Sequence, residues 1–247
     1  MTDQATIRRN ATVGVSKPGG TERPTEYLLR YSPFSFRCNR CCRCCHDKVI
    51  RVNPYEVSRL AGQLGIGTTE FLRRYTFADG TALRATATGV CVFLSTSGCG
   101  VHPARPLVCR LYPLGRHVRE SGQESFIRQE LEPRCQGAPG TDGCVGDYLA
   151  GQEAGPFIAA VDRYLGLVGR MMVVSREKAG SGTEAQEILS GATAELLQES
   201  GSTYPAWLDM DPVVSGFCAA RGIVVPSDAD ARMDIHITAI TEWLETL

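Results

Sequence analysis

Long apolar runs are missing from this chain. No uninterrupted stretch approaches the roughly 20 residues needed to cross a bilayer, so a membrane helix is not expected. Residues Met1 to Asn10 lack the apolar core of a signal peptide, which predicts a reducing, cytoplasmic setting where disulfides are rare. Three catalytic signatures are also missing. No glycine-rich nucleotide loop joins a strand to a helix: the glycines from Gly137 to Gly143 follow no such pattern, and Gly65 and Gly67 read as a helix stop. There is no His-Glu-x-x-His zinc protease motif and no Gly-x-Ser-x-Gly nucleophile elbow. Catalysis of another kind stays open.

What is present is ordinary in bulk and unusual in detail. The 247 residues suffice for one large domain or two small ones, and 43% hydrophobic residues can build a soluble core. The net charge of −1 hides a split. Residues 1–134 carry 20 Lys and Arg against 11 Asp and Glu, and residues 135–247 carry 6 against 16. All but three of the 26 basic residues are Arg, a weakly hydrated, permanent cation suited to sites where sulfur-bound metal leaves negative charge. No sustained basic run or aromatic-basic motif supports nucleic-acid binding, which is the less favoured reading of the split. The near-cancelling halves are expected to dock on each other.

Eleven cysteines then need a cytosolic explanation, and five of them, Cys38, Cys41, Cys42, Cys44 and Cys45, fall within eight residues. A single Cys is usually a small buried hydrophobe. Five interleaved with arginine point instead to thiolate ligation of metal, since a Cys-x-x-Cys turn presents two sulfurs on one side of the backbone.

The predicted fold class is mainly α, with a small irregular α+β cysteine-cluster region whose loops are stapled by metal. Residues 1–24 read as a mobile arm, 25–150 as the metal-binding domain, and 151–247 as a helical region packing on it. Val49 to Val52 and Val90 to Leu94 are predicted as strands, as is Ser125 to Leu131. Asn53 with Pro54 and Glu56 forms a capping box opening a helix that Gly65 stops, and Thr68 or Thr69 is expected to cap a second helix, Glu70 to Tyr75. Cys99 to Pro113 reads as a proline-punctuated loop. Beyond Asp147 the spacing turns helical: Ile158, Val161, Leu165, Val168 and Met172 form one stripe. Thr183 and Gln186 form a capping box before Ile188 to Leu197, and Asp211-Pro212 starts another helix. The last helix runs from Ser227 with Met233, Ile237, Ile240, Leu244 and Leu247 on one side.

Cys38, Cys41, Cys44 and Cys45, then Cys91 with Phe93 and Leu94, then Cys99 before Arg105, Pro106, Cys109, Arg110, Tyr112 and Pro113, and finally Cys135 with Gly137, together resemble the YkgJ-type CxxCxxCC cysteine-cluster family. That family is described as zinc- or iron-chelating and is similar to the cysteine-rich part of flagellin lysine methylases. The resemblance covers roughly residues 36–150. It implies that Cys38, Cys41, Cys44, Cys45, Cys91, Cys99, Cys109 and Cys135 are the metal or cofactor ligands. Cys42 stands where the family usually has Gly, and Cys144 and Cys218 lie outside the motifs. His102 replaces a usual Tyr and is read as filling space. His46 is the one histidine considered as a ligand or proton relay; His117 and His236 read as solvated or structural.

Zinc sites of four thiolates commonly use two Cys-x-x-Cys knuckles, whereas three cysteines at successive x-x spacing plus remote ones are nearer the run that holds a 4Fe-4S cluster. The reading favoured is an iron-sulfur protein passing electrons or supporting a redox or modification reaction with an unidentified redox or protein partner. A zinc-stapled interaction module with an acidic partner is the alternative, and a methylase-like enzyme component comes third. Because neighbouring side chains diverge, Cys44 and Cys45 are expected to serve different centres.

Overall fold

A computed structural model of the chain describes residues 27–119, 121–179 and 204–247. The arm at 1–24 and the capping box at Thr183 with its apolar stripe to Leu197 lie outside the described residues. The described chain has nine short strands, β1 Tyr27–Leu28, β2 Pro33–Arg37, β3 Thr76–Phe77, β4 Ala82–Leu83, β5 Leu94–Ser95, β6 Gly98–Cys99, β7 Leu114–Val118, β8 Glu124–Arg128 and β9 Ala138–Cys144. Its helices are α1 Pro54–Leu64, α2 Thr68–Tyr75, α3 Leu107–Leu111, α4 Val145–Gly151, α5 Gly155–Ala179, α6 Met210–Arg221 and α7 Ala229–Glu245. Helix predominates, but the class is mixed α+β. The described residues group into two compact units, one drawn from within Met1–Cys44 and Val108–Glu153, the other from within Cys45–Leu107 and Ala154–Leu247.

The first unit is built from two small antiparallel sheets, β1-β8-β7 and β2-β9. In β2 the alternation Pro33, Phe34, Ser35, Phe36, Arg37 sends both phenylalanines inward, as the two-residue period of a strand requires. Phe34 meets Tyr148 edge to face at 5.0 Å, and Phe36 meets Tyr112 likewise at 6.2 Å. Gly137 lies flat against Phe36: a Cβ there would stand 2.1 Å from the ring's Cζ, so only glycine permits this approach. Arg110 is only 2% exposed, and its guanidinium donates to the Gln152 carbonyl at 2.9 Å. Tyr148 donates its hydroxyl to the Tyr112 carbonyl at 2.6 Å.

The second unit is mainly helical. The predicted capping box is present at α1: the Glu56 N–H reaches Asn53 Oδ1 and the Asn53 N–H reaches Glu56 Oε2, both at 3.0 Å, while Gly65 ends the helix at φ 68°. The other Glu56 oxygen accepts the Leu107 N–H at 2.7 Å, which satisfies a buried carboxylate and the start of α3 together.

Thr68 and Thr69 do not cap α2; Gly67 occupies that position without a side-chain bond. Thr68 instead bonds across the unit. Its N–H donates to Asp211 Oδ2 at 2.8 Å, its hydroxyl accepts the Asp211 N–H at 3.0 Å, and the same hydroxyl donates to the Asp209 carboxylate. Two helix N-termini therefore satisfy each other's donors, a long-range solution that displaces the local cap.

The buried stripe of α5 is also not the one expected. Phe157, Ala160, Tyr164, Leu167, Met171 and Ser175 are buried with Ile158, while Leu165 and Met172 are 49% and 44% exposed. Both faces are apolar, so partners decide: Phe157 packs edge-on to Tyr55 at 5.5 Å and the Tyr164 hydroxyl meets His236 Nδ1 at 3.0 Å. In α7, Met233, Ile240 and Leu244 are buried as expected and His236 joins them, fully enclosed and structural.

Of Ser125 to Leu131, the part up to Arg128 is realised in β8, and two other strands shrink further. Val49 to Val52 contributes one bridge, Arg51 to Ala82, and within Val90 to Leu94 only Leu94 enters a strand, Val90 and Cys91 forming isolated bridges. The stretch from Cys99 to Pro113 is more regular than a loop, with a 3-10 turn at His102–Ala104 and then α3. No helix among the described residues is long and apolar enough to cross a membrane.

Candidate metal centre

The cysteine run leaves β2 at Arg37 and turns sharply. Arg40 and Cys42 take φ of 51° and 60°, the left-handed region that favours glycine. This explains why a glycine suits position 42, and it turns the Cys42 thiol back onto the Arg40 carbonyl at 3.3 Å. Arg43–Cys45 then form a 3-10 turn.

In the first unit, backbone N–H groups aim at sulfur. Arg40 donates to Cys38 Sγ, Gln136 to Cys41 Sγ and Gly137 to Cys135 Sγ, each at 3.4 Å. Asn39 clamps the same turn by donating to the Gln136 carbonyl at 2.6 Å. Burial pushes the Cys41 thiol up, but the N–H groups of Gln136 and Arg43 and the Cys135 thiol outweigh it and bring Cys41 below its usual range. Burial and the neighbouring Cys41 hold Cys135 above its own, against a hydrogen bond from the Gly137 N–H and another from the Tyr112 hydroxyl. Cys44 adds its charge to both Cys41 and Tyr112. Sulfurs that attract backbone donors, with Cys41 shifted toward its thiolate, suit a metal that binds sulfur. Among the described residues, however, no three His, Cys, Asp or Glu side chains are grouped as they would be around an ion.

The other candidates are placed as follows. In the second unit the Cys91 N–H donates to the Cys45 carbonyl at 2.9 Å, next to the bridge between His46 and Val90. The Leu94 N–H donates to the Cys91 carbonyl at 3.0 Å, and Leu94 pairs with Cys99 across the β5-β6 hairpin. Backbone pairing thus strings Cys45, Cys91 and Cys99 together. Cys109 lies half-buried on α3 in the first unit. His102 is engaged with Arg105, whose guanidinium donates to its carbonyl at 2.7 Å. Of the cysteines outside the motifs, Cys144 precedes α4, its N–H donating to Asp147 at 2.9 Å, and Cys218 is buried in α6. No disulfide links any of the eleven.

Two residues of the motifs carry roles that spacing did not reveal. Tyr112 accepts the Glu132 N–H at 2.8 Å, and Gly137 makes room for Phe36. Their signal was their place within the cysteine motifs, which names a residue without naming what it touches.

Residues 37–136 match the model of the CxxCxxCC family, described as "Putative zinc- or iron-chelating domain". The matched stretch is similar to that family, and metal binding is the property that the family description assigns to its members. Among individual proteins, an uncharacterized protein of Methanocaldococcus jannaschii is 34% identical over 90 residues, covering 35% of this chain. The match spans 48% of that relative, about half its length. No solved structure matches the chain.

Proposed function

We propose that the CxxCxxCC domain holds an iron-sulfur cluster through cysteine thiolates and that the protein uses it to pass electrons or support a redox or modification reaction. The candidate ligands are Cys38, Cys41, Cys44, Cys45, Cys91, Cys99, Cys109 and Cys135. The observation that carries this reading is the set of backbone donors on Cys38, Cys41 and Cys135. Hydrogen bonds to sulfur stabilise bound thiolates and tune the reduction potential of such clusters. The spacing of Cys38, Cys41 and Cys44, with Cys135 brought to Cys41 by the chain, supports a three-plus-one ligand pattern. A bound cluster would supply one-electron chemistry; the residues described here orient the sulfurs.

A zinc-stapled interaction module is favoured by one different observation. Arg37, Arg40, Arg43 and Arg134 are exposed near the thiols and form no ion pair among the described residues, as a surface for an acidic partner would. Metal analysis of anaerobically purified protein separates the two. Iron with acid-labile sulfide and visible thiolate-to-iron absorption is expected; colourless protein with stoichiometric zinc and no sulfide would establish the second reading.

A further inference from the structure

We propose that Tyr112 is a positioning residue of the cysteine centre, its hydroxyl donating to the Cys135 sulfur and setting that sulfur's electron density. The inference rests on the reading of Cys135 as a metal-bound thiolate.

The geometry starts from what Tyr112 accepts. The Glu132 N–H approaches its oxygen at 2.8 Å, so one lone pair is taken and the phenolic proton must point elsewhere. Glu132 opens the turn that Cys135 closes, the Cys135 N–H returning to the Glu132 carbonyl at 2.9 Å. A hydroxyl anchored at the start of that turn is held beside the thiol at its end, where the two groups interact. The ring is fixed independently of the hydroxyl. Its edge lies on Phe36 at 6.2 Å, and its carbonyl accepts from Tyr148 at 2.6 Å.

The arrangement differs from the backbone donors in one respect. The N–H of Gly137 also reaches Cys135, but a peptide group cannot be changed without moving the chain. Tyr112 is the side chain through which sequence can tune this sulfur. A hydrogen bond withdraws charge from a thiolate, so removing it raises the energy of the sulfur lone pair and lowers the energy of sulfur-to-metal charge transfer.

Cobalt(II) is the probe, because its thiolate charge-transfer band reports on sulfur whether the resident metal is iron or zinc. The full-length protein is to be titrated as wild type and as Tyr112→Phe, Tyr148→Phe and Cys135→Ser. Tyr112→Phe should keep wild-type stoichiometry, move the band to longer wavelength and bind cobalt about ten-fold more weakly, in the range for loss of an outer hydrogen bond to a ligand. Tyr148→Phe removes bonds to the Tyr112 and Arg110 carbonyls while leaving the Tyr112 hydroxyl in place, and should leave the band in place. Replacing Tyr112 by 3-fluorotyrosine, a more acidic donor on the same ring, should move the band the opposite way and reads the same effect should Tyr112→Phe fail to fold. An unchanged band in both Tyr112 variants, or an equal shift in Tyr148→Phe, overturns the inference and leaves the metal-thiolate reading standing. A wild-type band that survives Cys135→Ser intact also overturns it, the other cysteines then holding the metal. Absence of any thiolate band in the wild type overturns both.

Discussion

The Gln136 N–H donates to the Cys41 sulfur at 3.4 Å, and the Cys135 thiol, one residue before Gln136, lies beside that same sulfur. A turn far along the chain thus delivers a backbone donor and a second thiol to one sulfur of the cysteine run, and the consequences of disturbing that delivery can be measured.

Gly137→Ala is expected to be among the most damaging single-carbon changes in the first unit. The added Cβ would fall 2.1 Å from Phe36 Cζ, so either the ring or the turn must move. Overpacking of this kind costs about 1–3 kcal/mol. Denaturant unfolding should show that loss together with lower metal content. Wild-type metal content at wild-type stability would mean that the turn accommodates the methyl group.

Cys44 and Cys45 should serve different centres. Adjacent side chains diverge, and the two residues fall in different compact units, Cys44 with Cys41 and Cys135, Cys45 with Cys91 and Cys99. Cys44→Ser and Cys45→Ser should each lower metal content and leave different residual spectra. Cys42→Gly should keep nearly full occupancy and match or exceed wild-type stability, since its φ of 60° suits glycine. One common residual spectrum for the two serine variants would instead indicate a single larger cluster.

Metal removal should act unevenly along the chain. Residues 30–147 contain only short strands and helices, so ligation is expected to supply much of their folding free energy, whereas the long helices α5 and α7 depend on apolar packing. After chelation, limited proteolysis should cut first within 30–147 and spare the C-terminal helices. A digestion pattern unchanged by chelation would make the cysteines ordinary core residues.

Acid should weaken the second unit through His236. Burial lowers its pKa from 6.5 to about 3, outweighing a hydrogen bond with the Trp207 backbone that acts the other way. Between those values the unfolded chain binds a proton that the folded chain refuses, so stability falls as pH drops from 6.5 toward 3 and levels off below. The slope approaches about 1.4 kcal/mol per pH unit. His236→Leu should flatten this limb of a pH series of denaturation curves. An equally steep limb in the variant would assign the acid sensitivity to other groups.

The parts of the fold legible beforehand are those decided within a few residues. Asn53 and Glu56 form their capping box because three positions of helix bring each side chain to the other's N–H, whatever lies beyond. The motif spacing likewise pointed to the CxxCxxCC family, whose model matches residues 37–136, since cysteines close in sequence stay close in space. The α5 stripe was misread because Leu165 and Tyr164 lie one residue apart on a helix apolar on both sides, and only Tyr55 and His236 select the face.

The sequence by itself determined the cysteine spacing, the α1 cap and the helical texture after Asp147, all consequences of backbone periodicity. Tertiary structure alone decided that Thr68 joins α6 rather than capping α2, that Gln136 and Cys135 converge on Cys41, and that Tyr112 meets the turn ending in Cys135. Each of these is a hydrogen bond between groups distant in sequence. Such partners exist only after the elements pack, because a buried donor takes the nearest acceptor in space and not along the chain.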